Sequence, residues 1–214
     1  GTNMKKRFFA ALLCLCLLAG LAPNMGTTAF AAGDYKIGDA VDFAGYEWYI
    51  IGTDEEADGG VTAPAGCYTL LAKDNEFGTS KGVYGNYKDS ELFQKINELV
   101  SNEFVNEQDN IMPRTLTAGD GDILDTDPVT DQYLWPLSAS EQNLLFDDDT
   151  SLKDLLLLFG ENYWLRSSDR ILYGTGYAWR ASYVSMRAEM VGWVNEPYSE
   201  TTTYAIRPAL YVKH

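Results

Sequence analysis

Val41-Asp42-Phe43-Ala44-Gly45-Tyr46-Glu47-Trp48-Tyr49-Ile50-Ile51 alternates apolar and polar residues on either side of a glycine break. That period of two, interrupted once, is the signature of a short β-hairpin. Working outward, residues 67–72 (Cys67-Tyr68-Thr69-Leu70-Leu71-Ala72) form an apolar run that reads as a further strand. The acidic, Gly-rich stretch 53–66 between them reads as a loop or hairpin tip. The C-terminal quarter is β-rich again. Residues 162–166 read as a strand, Tyr177, Trp179, Ala181 and Tyr183 fall on one face of the next, Val191 and Trp193 belong to its hairpin partner, and 205–212 supplies the final strand.

Helices lie between these β-rich ends. Over residues 90–106, Leu92, Phe93, Ile96, Leu99, Val100 and Phe104 recur at steps of three and four, which gives a helix one apolar face. Asp89 or Ser90 can cap its start. Ser138-Ala139-Ser140-Glu141 is a capping box, in which serine and glutamate satisfy each other's end amides, so it announces a second helix. A third short helix over 152–159 stops at Gly160, which suits a left-handed cap. Strands at both ends with two to three helices between them predict a single α+β domain with antiparallel sheets and termini paired in one sheet.

Before this domain the chain carries a processing signal. Gly1-Thr2-Asn3 precedes Met4 and reads as a cloning remnant over residues 1–3. Lys5-Lys6-Arg7, an apolar run from Phe8 to Leu18, and Ala29-Phe30-Ala31 then make a basic head, an apolar middle and an A-x-A site. These are the parts of a secretory signal peptide over 4–31, cut after Ala31, which leaves 32–214 as the mature domain. The apolar run is too short for a lasting membrane anchor, which needs about 20 residues. Leu13 and Leu15 precede Cys14 and Cys16 where a lipoprotein signal wants a small residue, so both thiols leave with the leader. The mature chain is expected to be secreted, extracellular or held at the cell envelope.

Loss of Lys5, Lys6 and Arg7 leaves 13 Lys+Arg against 31 Asp+Glu, a formal charge of −18 where the whole chain has −15. Such a surface repels nucleic acid and anionic lipid, so neutral sugars, cations or cationic peptides are the better partners. One cysteine, Cys67, remains, so no intrachain disulfide can form and packing must hold the fold. It lies in an apolar run with no histidine or basic cluster beside it, as a core thiol would.

Several motifs, taken in order, resemble a bacterial family of exported domains of unknown function common in gut-dwelling anaerobes. They are Gly38-Asp39-Ala40-Val41-Asp42-Phe43-Ala44-Gly45-Tyr46-Glu47-Trp48, Leu70-Leu71-Ala72-Lys73-Asp74, Leu134-Trp135-Pro136-Leu137-Ser138-Ala139-Ser140-Glu141, Tyr163-Trp164-Leu165-Arg166-Ser167 and Ile206-Arg207-Pro208-Ala209-Leu210-Tyr211-Val212. The chain departs from that pattern at Ser168, where proline is usual, and in a longer, more acidic loop over 119–131. The family looks related to the C-type-lectin-like fold shared with sulfatase activators. The resemblance therefore implies a C-type-lectin-like domain with paired termini and a ligand-bearing loop region, and it implies no particular activity.

Candidate sites follow from residue chemistry. Arg166 and Arg207 sit inside strand-like apolar runs, where a guanidinium needs carbonyls or a carboxylate, so they read as structural arginines tying loops to the sheet. Tyr177, Trp179, Tyr183 and Trp193 can line a hairpin face that binds sugars or cations, or they can be core aromatics stabilising strand pairs. Asp120, Asp122, Asp125 and Asp127 concentrate carboxylates in a turn-rich loop and are the candidate Ca²⁺ ligands, although the spacing is not that of an EF-hand. Catalysis has little to stand on: the single histidine is His214, expected to be disordered, and no phosphate, dinucleotide or zinc motif occurs. The expectation is a non-catalytic binding module for a glycan or protein. Its alternatives are a structural or interaction domain without a small ligand and, more weakly, a two-carboxylate glycoside hydrolase.

Overall fold

A computed structural model describes residues 30, 33–55, 61–117, 128–147, 151–195 and 202–214. The chain is an α+β domain with mostly antiparallel sheets and three α-helices among the described residues. β1 (Ala40–Phe43) and β2 (Tyr46–Gly52) form the expected hairpin, turned by Ala44 and Gly45, both at positive φ (54° and 81°). Two consecutive left-handed residues give a turn whose twist matches that of the strands; glycine adopts this freely and alanine at a cost. β2 pairs with β3 (Cys67–Ala72), every residue of which is buried.

Strand β13 (Pro208–Lys213) lies next to β3 and also pairs with β5 (Ile111–Met112) and β8 (Trp135–Pro136). The first sheet therefore runs β1-β2-β3-β13-β5, with β8 added to β13. The first and last strands do share a sheet, but β2 and β3 separate them, because the fully buried β3 and the almost fully buried β13 take the centre and the half-exposed β1 takes the edge. β6 (Arg114–Leu116) and β7 (Val129–Gln132) make a separate ribbon. The second sheet runs β11-β10-β9-β12-β4, from β4 (Thr79–Ser80), β9 (Tyr163–Tyr173), β10 (Gly176–Ser185), β11 (Met190–Asn195) and β12 (Tyr204–Ala205).

Helix α1 (Glu91–Asn102) begins at Ser90, whose Oγ accepts from the Phe93 amide at 3.1 Å, and it buries Leu92, Ile96 and Val100. It ends at Asn102, two residues before the last periodic residue, Phe104. Phe104 leaves the helix and inserts, fully buried, among Tyr46, Trp48 and Phe77 at ring separations of 5.7–6.3 Å, so tertiary packing overrides the local period. α2 (Ala139–Asp147) starts on the reciprocal box: the Ser138 amide donates to Glu141 Oε2 at 2.8 Å and the Glu141 amide to Ser138 Oγ at 3.0 Å. α3 (Ser151–Leu157) is followed by a turn and Gly160 at φ 78°. His214 is held rather than disordered: its amide donates to Gly66 O at 3.1 Å and its ring stacks 4.5 Å from that of Tyr68.

Two buried arginines join the sheets. Where β9 pairs with β10, Ala181 faces Ser168 but Tyr183 faces Trp164, so Leu165, Arg166 and Ser167 bulge out against a single residue, Ser182. The bulge turns β9 toward the start of α2, where the Arg166 amide donates to Leu137 O at 3.0 Å and Ser167 Oγ accepts from the Ala139 amide. Arg166 Nη1 then reaches Pro136 O at 2.9 Å and Glu141 Oε2 at 2.6 Å. Arg207 sits where the chain leaves β12 and enters β13, crossing from the second sheet to the first. It donates to Ala72 O at 2.8 Å and Leu156 O at 3.0 Å, with its guanidinium stacked 4.4 Å from the Phe159 ring and 4.9 Å from Tyr163.

The Glu141 carboxylate completes this system. Its second oxygen lies 2.6 Å from Arg114 Nη1, so one buried carboxylate is shared by two guanidiniums and a helix-capping amide. Burial alone would raise its pKa, but the charges of Arg166 and Arg114 and the bonds from Arg166 and Ser138 hold it below the usual carboxylate range. Glu141→Gln should therefore lower the unfolding free energy in urea by about 3–5 kcal/mol, because it leaves two buried charges without their counterion. A folded-state pKa below the unfolded value makes the contribution complete above about pH 4.3 and lost as pH falls through the folded value. The urea midpoint of the wild type should thus fall more steeply below pH 4.3 than that of Glu141→Gln; parallel profiles would refute the assignment.

Candidate functional site

The second sheet carries the expected aromatic residues and divides them. Within β10 the side chains alternate, and pairing of Tyr177 with Leu172 and of Trp179 with Arg170 puts those four on one face near the β9–β10 turn. Arg170 lies over both rings, 4.9 Å from Tyr177 and 5.5 Å from Trp179. Tyr177 is 68% exposed and Leu172 70%, whereas Trp179 is half-buried. This end of the hairpin is an open apolar surface stiffened by cation–π stacking.

Trp193 belongs to the opposite face, because it pairs with Ser182, which alternates with Trp179 and Tyr183 along β10. Arg180 covers its ring at 4.6 Å and is fixed by Asp169, whose Oδ2 accepts from Arg180 Nη2 at 2.5 Å. Trp193 lines an open groove of about 410 Å³ between α2 and β11. Asn143 and Phe146 come from α2, Met190 and Val191 from β11, and the Lys153–Glu189 ion pair (3.6 Å) also lines it. Its lining mixes aromatic and aliphatic side chains with an amide and a charged pair, so apolar contact and hydrogen bonding are offered side by side.

Tyr183 joins neither surface. Its ring packs 6.1 Å from Trp164 and 4.9 Å from Tyr204, and Gly192 opposite leaves room for it: a β-carbon there would lie 2.8 Å from the Tyr183 ring. Glycine is required at that point by close approach.

The four calcium candidates, Asp120, Asp122, Asp125 and Asp127, lie outside the described residues. Among the described residues no group of three or more His, Cys, Asp or Glu side chains is arranged to hold a metal ion. Cys67 is buried within β3, and its burial pushes the thiol pKa up, the direction of a core thiol rather than a nucleophile. The buried Glu141 carboxyl is displaced downward, the wrong way for a general acid. No helix among the described residues is long and apolar enough to cross a membrane.

Reading residues alone missed the groove, because Asn143, Lys153 and Glu189 become neighbours of Trp193 only when α2 packs on β11. It also missed the roles of Arg170 and Arg180, although an arginine next to Trp179 and another across the turn from Tyr177 was a usable signal. Compared with known proteins, the chain matches no family model, no curated protein and no solved structure.

Trp48, Trp135 and Trp164 have no exposed surface, whereas Trp179 and Trp193 do. Acrylamide should therefore quench a minor fraction of native tryptophan fluorescence. A Trp179→Phe/Trp193→Phe protein should lose that fraction, and quenching that persists would contradict the arrangement.

Proposed function

We propose that the chain is a secreted or cell-envelope binding module without catalytic activity, with a C-type-lectin-like architecture, and that it holds a glycan in the Trp193 groove. The observation that carries this is the groove itself. A half-buried indole forms one wall, an arginine held by Asp169 keeps that indole in place, and Asn143, Lys153 and Glu189 offer hydrogen bonds beside it. A sugar presents C–H faces to an aromatic ring and hydroxyls to such polar groups, and a fixed ring lowers the ordering cost of binding. The lectin-like architecture is supported by the sharing of one sheet by the first and last strands, and by the position of Arg166 and Arg207 at the two places where the sheets are joined.

Titration calorimetry of the processed protein against a panel of neutral oligosaccharides tests the reading. One class should bind, and Trp193→Ala should weaken it by about 2 kcal/mol, roughly thirtyfold, without lowering the melting temperature. Unchanged affinity in that variant would remove the groove from consideration. A second reading, a protein-contact surface, is favoured by the cross-strand pair Tyr177 and Leu172, both about 70% exposed. Leu172→Asp separates the two, since it would abolish a protein contact and leave glycan binding in the groove intact.

A further inference from the structure

Phe30 is the first described residue, and its ring is buried, 8% exposed, in a box of other rings. Tyr35 lies 5.5 Å away, Tyr68 6.1 Å and Phe43 6.3 Å, the last two edge-on. Tyr68 and Tyr35 also meet edge to face at 5.7 Å. Beside the box opens a cleft of about 510 Å³ walled by Tyr35 and Tyr68 and lined with Asp34, Asp54 and Glu55 against the single cation Lys36.

The A-x-A site places Phe30 inside the leader, two residues before the cut. Hydrolysis of the Ala31–Ala32 bond by water in a leader peptidase leaves a carboxylate on Ala31 and an ammonium on Ala32, and it carries the Phe30 ring away. Two of the three walls are held without that ring. Phe43 is fixed in β1 by its register with Tyr46, and Tyr68 in β3 is held by its bond to Gly33 O (2.5 Å) and by the His214 ring. A berth shaped for a phenyl ring is then left open next to a carboxylate-rich cleft, on a domain of formal charge −18.

We propose that this berth is a second binding site of the processed protein, which takes an aromatic side chain from a peptide with basic residues flanking it. In the unprocessed chain Phe30 occupies the place of that side chain. Ring-on-ring contact supplies the affinity for the aromatic residue, and the acidic cleft selects peptides over neutral aromatic compounds. The inference rests on the cut after Ala31 and is independent of the Trp193 groove, so the outcome of the glycan titration does not bear on it.

The test uses the full chain expressed in an exporting bacterium, with the secreted product identified by intact mass. The probe is the pentapeptide acetyl-KAFAK-amide, with acetyl-KAAAK-amide as control. The secreted product should begin at Ala32 and bind the phenylalanine probe about tenfold or more tighter than the control, the ratio that burial of one such ring gives. Unprocessed wild type should show no preference between the peptides. Unprocessed Phe30→Ala, checked for cooperative melting, should recover the preference. A secreted product that retains Phe30 would overturn the proposal, as would equal binding of probe and control by the processed chain. A wild-type precursor that binds the probe as tightly as Phe30→Ala would overturn it too.

Discussion

A single carboxylate, Glu141, is shared by two guanidiniums, that of Arg166 fully buried and that of Arg114 largely so. The arrangement is demanding because each member is costly alone: an ion taken out of water regains its solvation only if every lone pair and proton finds a partner. Glu141 meets this by accepting from Arg166 and from the amide at the head of its own helix, and by pairing with the charge of Arg114. These three come from the β6–β7 ribbon, from the second sheet and from the junction of β8 with α2. The ion cluster thus fixes the mutual position of pieces that also meet in the hydrophobic core, through Leu116, Leu137 and Leu165, and the site-bearing hairpin extends from one of them.

Most of the regular elements were legible in the sequence because their causes are local. Alternation around Gly45 defines the first hairpin, Ser90 and the Ser138–Glu141 box define two helix starts, and Gly160 closes the turn that follows the third helix, which stops at Leu157 rather than 159. What stayed hidden depends on distant partners. The capping box named Glu141 as an end group, yet its larger role needs Arg166, which arrives through a β-bulge that no propensity announces. The termination of α1 was obscured for a similar reason: Phe104 fits the helical period, and only the ring cluster around Trp48 and Phe77 draws it out. The order of strands in the first sheet is likewise a matter of which strands are apolar on both faces, and β13 proves to be one of these.

The candidate site was half legible. Aromatic residues at alternate positions correctly marked a strand of the second sheet. Their grouping into one ligand-bearing face did not follow, since β11 presents Trp193 to the other side of the sheet and Gly192 makes room for Tyr183 to turn into the core. The arginines at 170 and 180 divide the remaining aromatics between them, one per face. Each stiffens its ring and leaves an edge or a flank accessible, a useful preparation for binding because little side-chain freedom remains to be lost.

The place of β13 in the first sheet also constrains the order of assembly. This strand occupies the middle of the sheet, between β3 and β5, yet residues 208–213 are reached only after every other strand has passed. Neither β3 nor β5 can complete its hydrogen bonding before then, and the Arg207 crossover that docks α3 against β3 forms in the same event. Contacts between residues so far apart in the chain make closure slow relative to formation of the local hairpins and helices. The first sheet therefore stays incomplete until its last strand joins it, so the hairpin β1–β2 and the short β5 wait on a segment about a hundred or more residues away in the chain.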